Sequence, residues 1–190
     1  FGADQAANEW ILAMDADEVY PESTIAMIKA ALRVDDGYGL YELRRINYFI
    51  GQPLKHCGAE GVLASLYRRP VFRFEGAIHE RLSGEGTRQF LGGEVFHYPF
   101  DSVDDFIVKW RIYLDIEAEK YCQDHDIVSW QEVRYRITWK VLKIFFKLYM
   151  RKKGFLDGPQ GLVWCILNSI GPQLKWIKIW EKAKAKGILR

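Results

Sequence analysis

The chain has 190 residues, with 27 Lys and Arg against 25 Asp and Glu, three Cys, and an apolar share of 49%. This is a globular composition and excludes a disordered, collagen-like or low-complexity polypeptide. The net charge of +2 conceals a division, since residues 1–133 carry a balance of −10 and residues 134–190 a balance of +12; the first part suits a cation or polar substrate, the second something anionic.

The elements follow in chain order. Glu9-Trp10-Ile11-Leu12-Ala13-Met14 is a short apolar run that predicts a buried strand emptying into Asp15-Ala16-Asp17-Glu18. Pro21 and Glu22 open a helix with Ile25, Ile28 and Leu32 at helical spacing, closed before Asp36-Gly37. Tyr38 to Ile50, Val62 to Phe74 and Arg88 to His97 are rich in β-branched and aromatic residues and predict strands. Ser102-Val103-Asp104-Asp105 forms a capping box for a helix to about Tyr121, with Phe106, Trp110 and Leu114 spaced by four. From Val133 the pattern is helical, with breaks expected at Gly154 to Gly161 and at Gly171-Pro172. The reading is α/β over residues 1–100, then an all-helical subdomain over 101–190. Asp157, Asn168 and Pro172 interrupt the most apolar stretch, 155–174, so no membrane span is expected. Cys57, Cys122 and Cys165 are scattered and odd in number, which argues against a disulfide framework or a Cys-based zinc site and for a reducing cytosol. No signal peptide opens the chain, and its first residue, Phe1, is not Met, so a piece of a longer protein is expected.

The acidic turn carries the chemistry. In an extended segment residues i and i+2 share a face, so Asp15 and Asp17 are expected to present two carboxylates side by side. Ligands of open α/β sheets collect at the carboxyl ends of strands. A Mg²⁺ or Mn²⁺ held there by one or two carboxylates completes its shell with phosphate oxygens. The natural guest is a metal–diphosphate. A plainer alternative is an acidic turn that supports the following helix through its dipole. A third is the D-x-D-x-(Thr/Val) nucleophile of haloacid-dehalogenase-like phosphatases, matched by Asp15, Asp17 and Val19; the later acidic pair it needs is found only at Asp104-Asp105, in a helix cap.

Six further segments accompany this turn in order: Arg44-Arg45-Ile46-Asn47-Tyr48-Phe49-Ile50-Gly51, Lys55-His56-Cys57-Gly58, Leu66-Tyr67-Arg68-Arg69, Ile78-His79-Glu80-Arg81-Leu82, Val95-Phe96-His97-Tyr98 and Gly154-Phe155-Leu156-Asp157-Gly158. Together with Ala7 to Glu18 they resemble the family two inverting glycosyltransferases of the GT-A fold, in the branch with lipopolysaccharide core glucosyltransferases. The resemblance implies the second half of a GT-A domain, a Rossmann-like mixed sheet, followed by the helical subdomain. It implies a Mg²⁺ or Mn²⁺ ion bound by Asp17, with His97 as a further ligand and Asp15 on the ribose or sugar side of a nucleotide-sugar donor. Glu80 becomes the general base that deprotonates the acceptor hydroxyl; its alternative is an ion pair with Arg73 or Arg81. Arg45 and Lys55 become contacts to the diphosphate or an anionic acceptor. The acceptor implied is a cell-envelope glycan or glycolipid, which places the chain in the cytoplasm on the inner face of the plasma membrane. The nucleotide-binding half is expected to precede Phe1, so these residues alone are expected to be weakly stable and inert. A non-enzymatic membrane-associated module with a remnant site is the competing expectation.

Two basic stripes complete the picture. Arg136, Lys140, Lys143, Lys147 and Arg151 recur at offsets 0, 4, 7, 11 and 15, and Lys175, Lys178, Lys182 and Lys186 at 0, 3, 7 and 11. With Trp139, Phe145, Phe146, Tyr149, Trp176 and Trp180 beside them, residues 134–190 are expected to meet an anionic membrane surface. The alternative is a helical subdomain with an aromatic core and solvated lysines. Nucleic acid is not expected, because no reading motif accompanies the charge.

Overall fold

In the computed structural model, which describes residues 2–34, 36–75 and 81–190, the chain is mixed α/β: a sheet with one covering helix, then C-terminal helices. The chain divides into two units, 1–47 with 60–98 and 48–59 with 99–190. One boundary falls at Tyr98/Pro99, and residues 48–59 belong with the helices.

The first unit is built on apolar strands. A short helix, α1 (Gly2–Gln5), precedes β1 (Trp10–Leu12) and β2 (Glu18–Val19). Helix α2 (Glu22–Ala31), β3 (Leu40–Phe49), whose last residues pass into the second unit, and β5 (Gly61–Arg68) follow, with β4 (Gln52–Leu54) folding back on β3. The chain then forms β6 (Phe72–Glu75), β7 (Arg81–Gly84) and β8 (Arg88–Phe100). The main sheet runs β1-β5-β3-β8-β2, and β6 and β7 pair separately. The β1–β5, β3–β5 and β2–β8 pairs are antiparallel. The segment expected as one strand from Val62 to Phe74 is two, because Pro70, which cannot donate to a ladder, sits in the turn between β5 and β6.

Tyr41, Leu43, Leu66 and Val95 form the core under α2, which contributes Ile28. Thr24 of α2 pins the helix to β8: its hydroxyl donates to the Glu94 carbonyl at 2.8 Å and accepts from the Glu94 N–H at 3.1 Å. A side chain at Gly93 would put Cβ 2.9 Å from the Thr24 methyl, so glycine permits this approach.

The second unit holds Phe49, Leu54, Cys57, Ala59 and Cys165 in one core and Ala118, Cys122, Val128, Val133, Trp176, Ile179 and Ala183 in another. Its helices are α3 (Val103–Asp124), α4 (Trp130–Phe146) and α5 (Gly158–Ala185). The Ser102 hydroxyl accepts from the Asp105 N–H at 3.0 Å and donates to Asp105 Oδ2 at 2.7 Å, so the expected N-cap is present. Helix α4 runs on through a π-helical turn, Lys147–Arg151, and a 3₁₀ turn, Gly154–Asp157, leads into α5.

The expected break at Gly171-Pro172 is absent, since α5 passes through it. Proline deprives only the Asn168 carbonyl of its helical donor, while buried Ser169, Gly171, Gln173 and Trp176 hold both sides of the site in place. At Gly171 the indole of Trp110 on α3 lies so close that a Cβ would fall 1.0 Å from a ring carbon.

Of the five lysines in α5 and its C-cap four meet acids, while Lys184 lies over the Trp180 ring. Lys175 pairs with Glu117 at 2.7 Å, Lys178 with Asp115 at 3.0 Å, and Lys186 with Glu119 at 2.6 Å. Lys182 reaches both Asp115 and Glu119, at 3.4 and 3.1 Å. The second basic stripe is thus one half of a charge ladder between α3 and α5. Among the described residues no helix is long and apolar enough to cross a membrane.

Candidate metal centre

Strand order explains how the acidic segment is positioned. β1 and β2 lie at opposite edges of the main sheet, so residues 13–17 must travel from one edge to the other. The Ala13 N–H donates to the Ser65 carbonyl of β5 at 2.8 Å, and the Tyr98 N–H of β8 donates to the Asp17 carbonyl at 2.8 Å. Between these ties the backbone is a tight turn, closed by the Glu18 N–H on the Asp15 carbonyl at 3.1 Å. The extended geometry expected for Asp15 and Asp17 is therefore replaced by a turn. The Glu18 side chain secures it, because Oε2 accepts from the Asp15 N–H at 3.2 Å and from the Tyr20 hydroxyl at 3.4 Å.

Asp17 and His97 are brought together. The β2–β8 pairing sets Glu18 opposite His97, and Asp17 Oδ1 lies 3.4 Å from His97 Nε2. The other ring nitrogen, Nδ1, is 2.5 Å from Asn47 Oδ1. Asn47 is two residues beyond Arg45 on β3, hence on the same face of that strand. An Asn oxygen accepts, so Nδ1 carries a proton; Nε2 donates to Asp17 when the ring is protonated and, in the neutral ring, is the nitrogen left to coordinate a cation. Imidazoles that bind metals are held in this way, by an acceptor on the remote nitrogen. Asp17 and His97 are both partly buried, with side chains 32% and 16% exposed.

Asp15, Asp17 and Glu18 gather negative charge in one turn. Glu18 is buried, and its Oε1 has no hydrogen-bond partner among the described residues. Burial, with repulsion from Asp15 and Asp17, pushes its carboxyl above the usual carboxylate range, against the opposing Asp15 N–H and the Arg45 charge. Asp15 is exposed, and its carboxylate makes no hydrogen bond or ion pair among the described residues.

These residues fit a small divalent cation. Adjacent corners of a Mg²⁺ octahedron with radius about 2.1 Å lie about 3 Å apart, and the 3.4 Å between Asp17 Oδ1 and His97 Nε2 needs only a small side-chain adjustment. Two protein donors are few. Among the described residues no group of three or more His, Cys, Asp or Glu is arranged to hold a metal ion; the remaining positions would fall to water and phosphate oxygens, as is usual for Mg²⁺.

Lys55 lies in the other unit, exposed, with its backbone N–H on Asp157 Oδ1 at 3.1 Å. Glu80, the expected base, lies outside the described residues. Asp157 is the residue that sequence reasoning left without a role. Its carboxylate also accepts from the His56 N–H at 2.9 Å and the Cys57 thiol at 3.1 Å, and meets His56 Nδ1 at 2.9 Å. It joins two of the quoted segments, Lys55–Gly58 and Gly154–Gly158, which no local pattern connects. No family model matches the chain.

Proposed function

We propose that the chain belongs to a metal-dependent inverting glycosyltransferase that moves a sugar from a nucleotide-sugar donor to a cell-envelope glycan or glycolipid, at the cytoplasmic face of the plasma membrane. The carrying observation is the approach of Asp17 Oδ1 to His97 Nε2 at 3.4 Å, with Asn47 on the far ring nitrogen. A Mg²⁺ or Mn²⁺ bound there would supply Lewis-acid stabilisation to a departing diphosphate. Asp17 and His97 are its protein ligands, and Asn47 keeps the imidazole in the tautomer that can coordinate. Asp15, exposed at the turn, hydrogen-bonds the ribose or sugar hydroxyls. Arg45 offsets the charge of the acidic cluster and reaches phosphate oxygens, for which a guanidinium fork is suited. The resemblance gives Lys55, in the second unit, a substrate-binding role. Glu80 takes the proton from the acceptor hydroxyl. The resemblance to GT-A enzymes supplies the roles of Asp15, Lys55 and Glu80, and the two-donor geometry supports that of Asp17 and His97.

A second reading, a non-catalytic module with a remnant site, is favoured by the small donor set. Mn²⁺ binding followed by electron paramagnetic resonance, with a nucleoside diphosphate present, separates the two. Mn²⁺ should bind the wild-type chain, and Asp17→Ala and His97→Ala should each weaken it at least tenfold. Asn47→Ala should weaken it about 10- to 100-fold, the usual effect of removing a ligand's supporting partner. Binding that survives Asp17→Ala and His97→Ala unchanged, or no binding by the wild type, refutes the metal centre and the transferase reading with it.

A further inference from the structure

Helix α4 and its π-helical turn carry two parallel rows. Tyr135, Trp139, Leu142, Phe146 and Met150 recur at offsets 0, 4, 7, 11 and 15, and Arg136, Lys140, Lys143, Lys147 and Arg151 follow one position behind at the same offsets. The helix buries its opposite side: Val133 is in one core of the unit, and Phe145, Leu148 and Tyr149 pack on the other. The apolar row is nevertheless exposed, by 47% at Tyr135, 64% at Trp139, 51% at Leu142, 57% at Phe146 and 56% at Met150. A continuous exposed apolar strip of this kind marks an interaction surface.

The flanking charge identifies the occupant. Residues 134–153 contain eight Lys and Arg and no Asp or Glu. Arg136 is engaged internally, bonded to Glu132 at 2.8 Å and stacked over Trp176. Lys143, Lys147, Arg151, Lys152 and Lys153 are exposed, and none of them pairs with a carboxylate among the described residues. Phe155 and Leu156 extend the apolar surface just past the last of these cations. An acidic protein partner would account for the cations alone, and an apolar partner for the aromatics alone. A bilayer with anionic headgroups satisfies both rows at once, with rings at the acyl boundary and lysines reaching the phosphates. Lys175, Lys178, Lys182 and Lys186 of the second stripe, by contrast, are matched by α3 acids.

We infer that the exposed face of α4 and its π-helical turn, residues 135–151, docks the chain on an anionic lipid surface, and that the acid-paired Lys175, Lys178, Lys182 and Lys186 take no part. This inference stands apart from sugar transfer. The test is co-sedimentation of the full chain with vesicles of phosphatidylcholine, with and without phosphatidylglycerol. Binding should require phosphatidylglycerol and be lost in molar salt. Lys143→Ala/Lys147→Ala/Arg151→Ala should reduce partition about a hundredfold, at about fivefold per cation. Trp139→Ser/Phe146→Ser should also abolish binding, with an unchanged far-ultraviolet circular dichroism spectrum. Lys178→Ala/Lys182→Ala should bind like the wild type. Equal binding to both vesicle types, or undiminished binding of the triple variant, overturns the inference. So does concentration-dependent dimerisation without lipid that Trp139→Ser/Phe146→Ser removes, since the face would then join two copies of the chain.

Discussion

Replacing Asp157 by Ala removes the acceptor for four donors at once: the Lys55 and His56 N–H groups, the His56 ring and the Cys57 thiol. The Asp157 side chain is only 5% exposed, so water cannot take over its role without opening the segment. Three of the stranded donors, the His56 N–H, the His56 ring and the Cys57 thiol, make part-buried bonds; the ring, with its side chain 33% exposed, can turn to water, which leaves two donors unsatisfied. At about 1–3 kcal/mol for each buried donor left unsatisfied, the loss is about 2–6 kcal/mol, a large share of the 5–15 kcal/mol typical of a domain. Asp157→Asn keeps one acceptor oxygen and should lose about half as much. Urea unfolding followed by tryptophan emission reads this directly, because Trp164 packs against the core that contains Cys57. The pH dependence is a second readout. Burial alone would raise the Asp157 carboxyl, but bonds from His56, Cys57 and Lys55 outweigh it and hold the group below its ordinary value. A depressed carboxyl stabilises fully above its unfolded pKa, about 4, and loses that contribution as the pH falls through the folded value. The wild type should therefore lose stability below about pH 4 more steeply than Asp157→Ala. An Asp157→Ala chain within about 0.5 kcal/mol of the wild type at neutral pH would refute the reasoning.

Gly171→Ala should destabilise by about 3 kcal/mol or more, because the new Cβ would sit 1.0 Å from a Trp110 ring carbon and overpacking displaces that indole; thermal unfolding measures it, and an unchanged melting temperature would contradict the helix contact. Lys178, Lys182 and Lys186 hold the carboxyls of Asp115 and Glu119 below their ordinary values. Side-chain NMR titration should show both returning toward normal in Lys178→Ala/Lys182→Ala and at high salt, since these pairs are exposed and screened; insensitivity to both perturbations would exclude the ladder.

What the sequence made legible was local. The Ser102 cap and helices α2 and α3 stand where their signals place them, because capping and spacing are set within a few residues. Pro172 misled because tertiary burial on both sides outweighs one lost backbone bond. The acidic turn was recognised, but its shape depends on the Glu18 side chain closing on the Asp15 N–H, which alternation does not encode. The meeting of Asp17 and His97 depends on the β2–β8 register, fixed only when distant strands pair. Asn47 could have been found from its place two residues beyond Arg45 on the same strand face. The α3–α5 ladder was also readable in part: Asp115 and Glu119, four apart, complement Lys178, Lys182 and Lys186 at the same pitch. Asp157 could not have been assigned, because its partners lie 100–102 residues away.

The helical unit is assembled from two separate stretches of chain, 48–59 and 99–190. During synthesis the ribosome delivers the first stretch early, and about a hundred residues must emerge before the carboxylate that completes it appears. Closing a loop of that length costs chain entropy that local contacts cannot repay in advance, so the Lys55–Cys57 bend stays incomplete in the nascent chain. A gene cut at residue 99 would strand the bend on the wrong side, and a helical segment expressed from that point would carry Asp157 with nothing to receive.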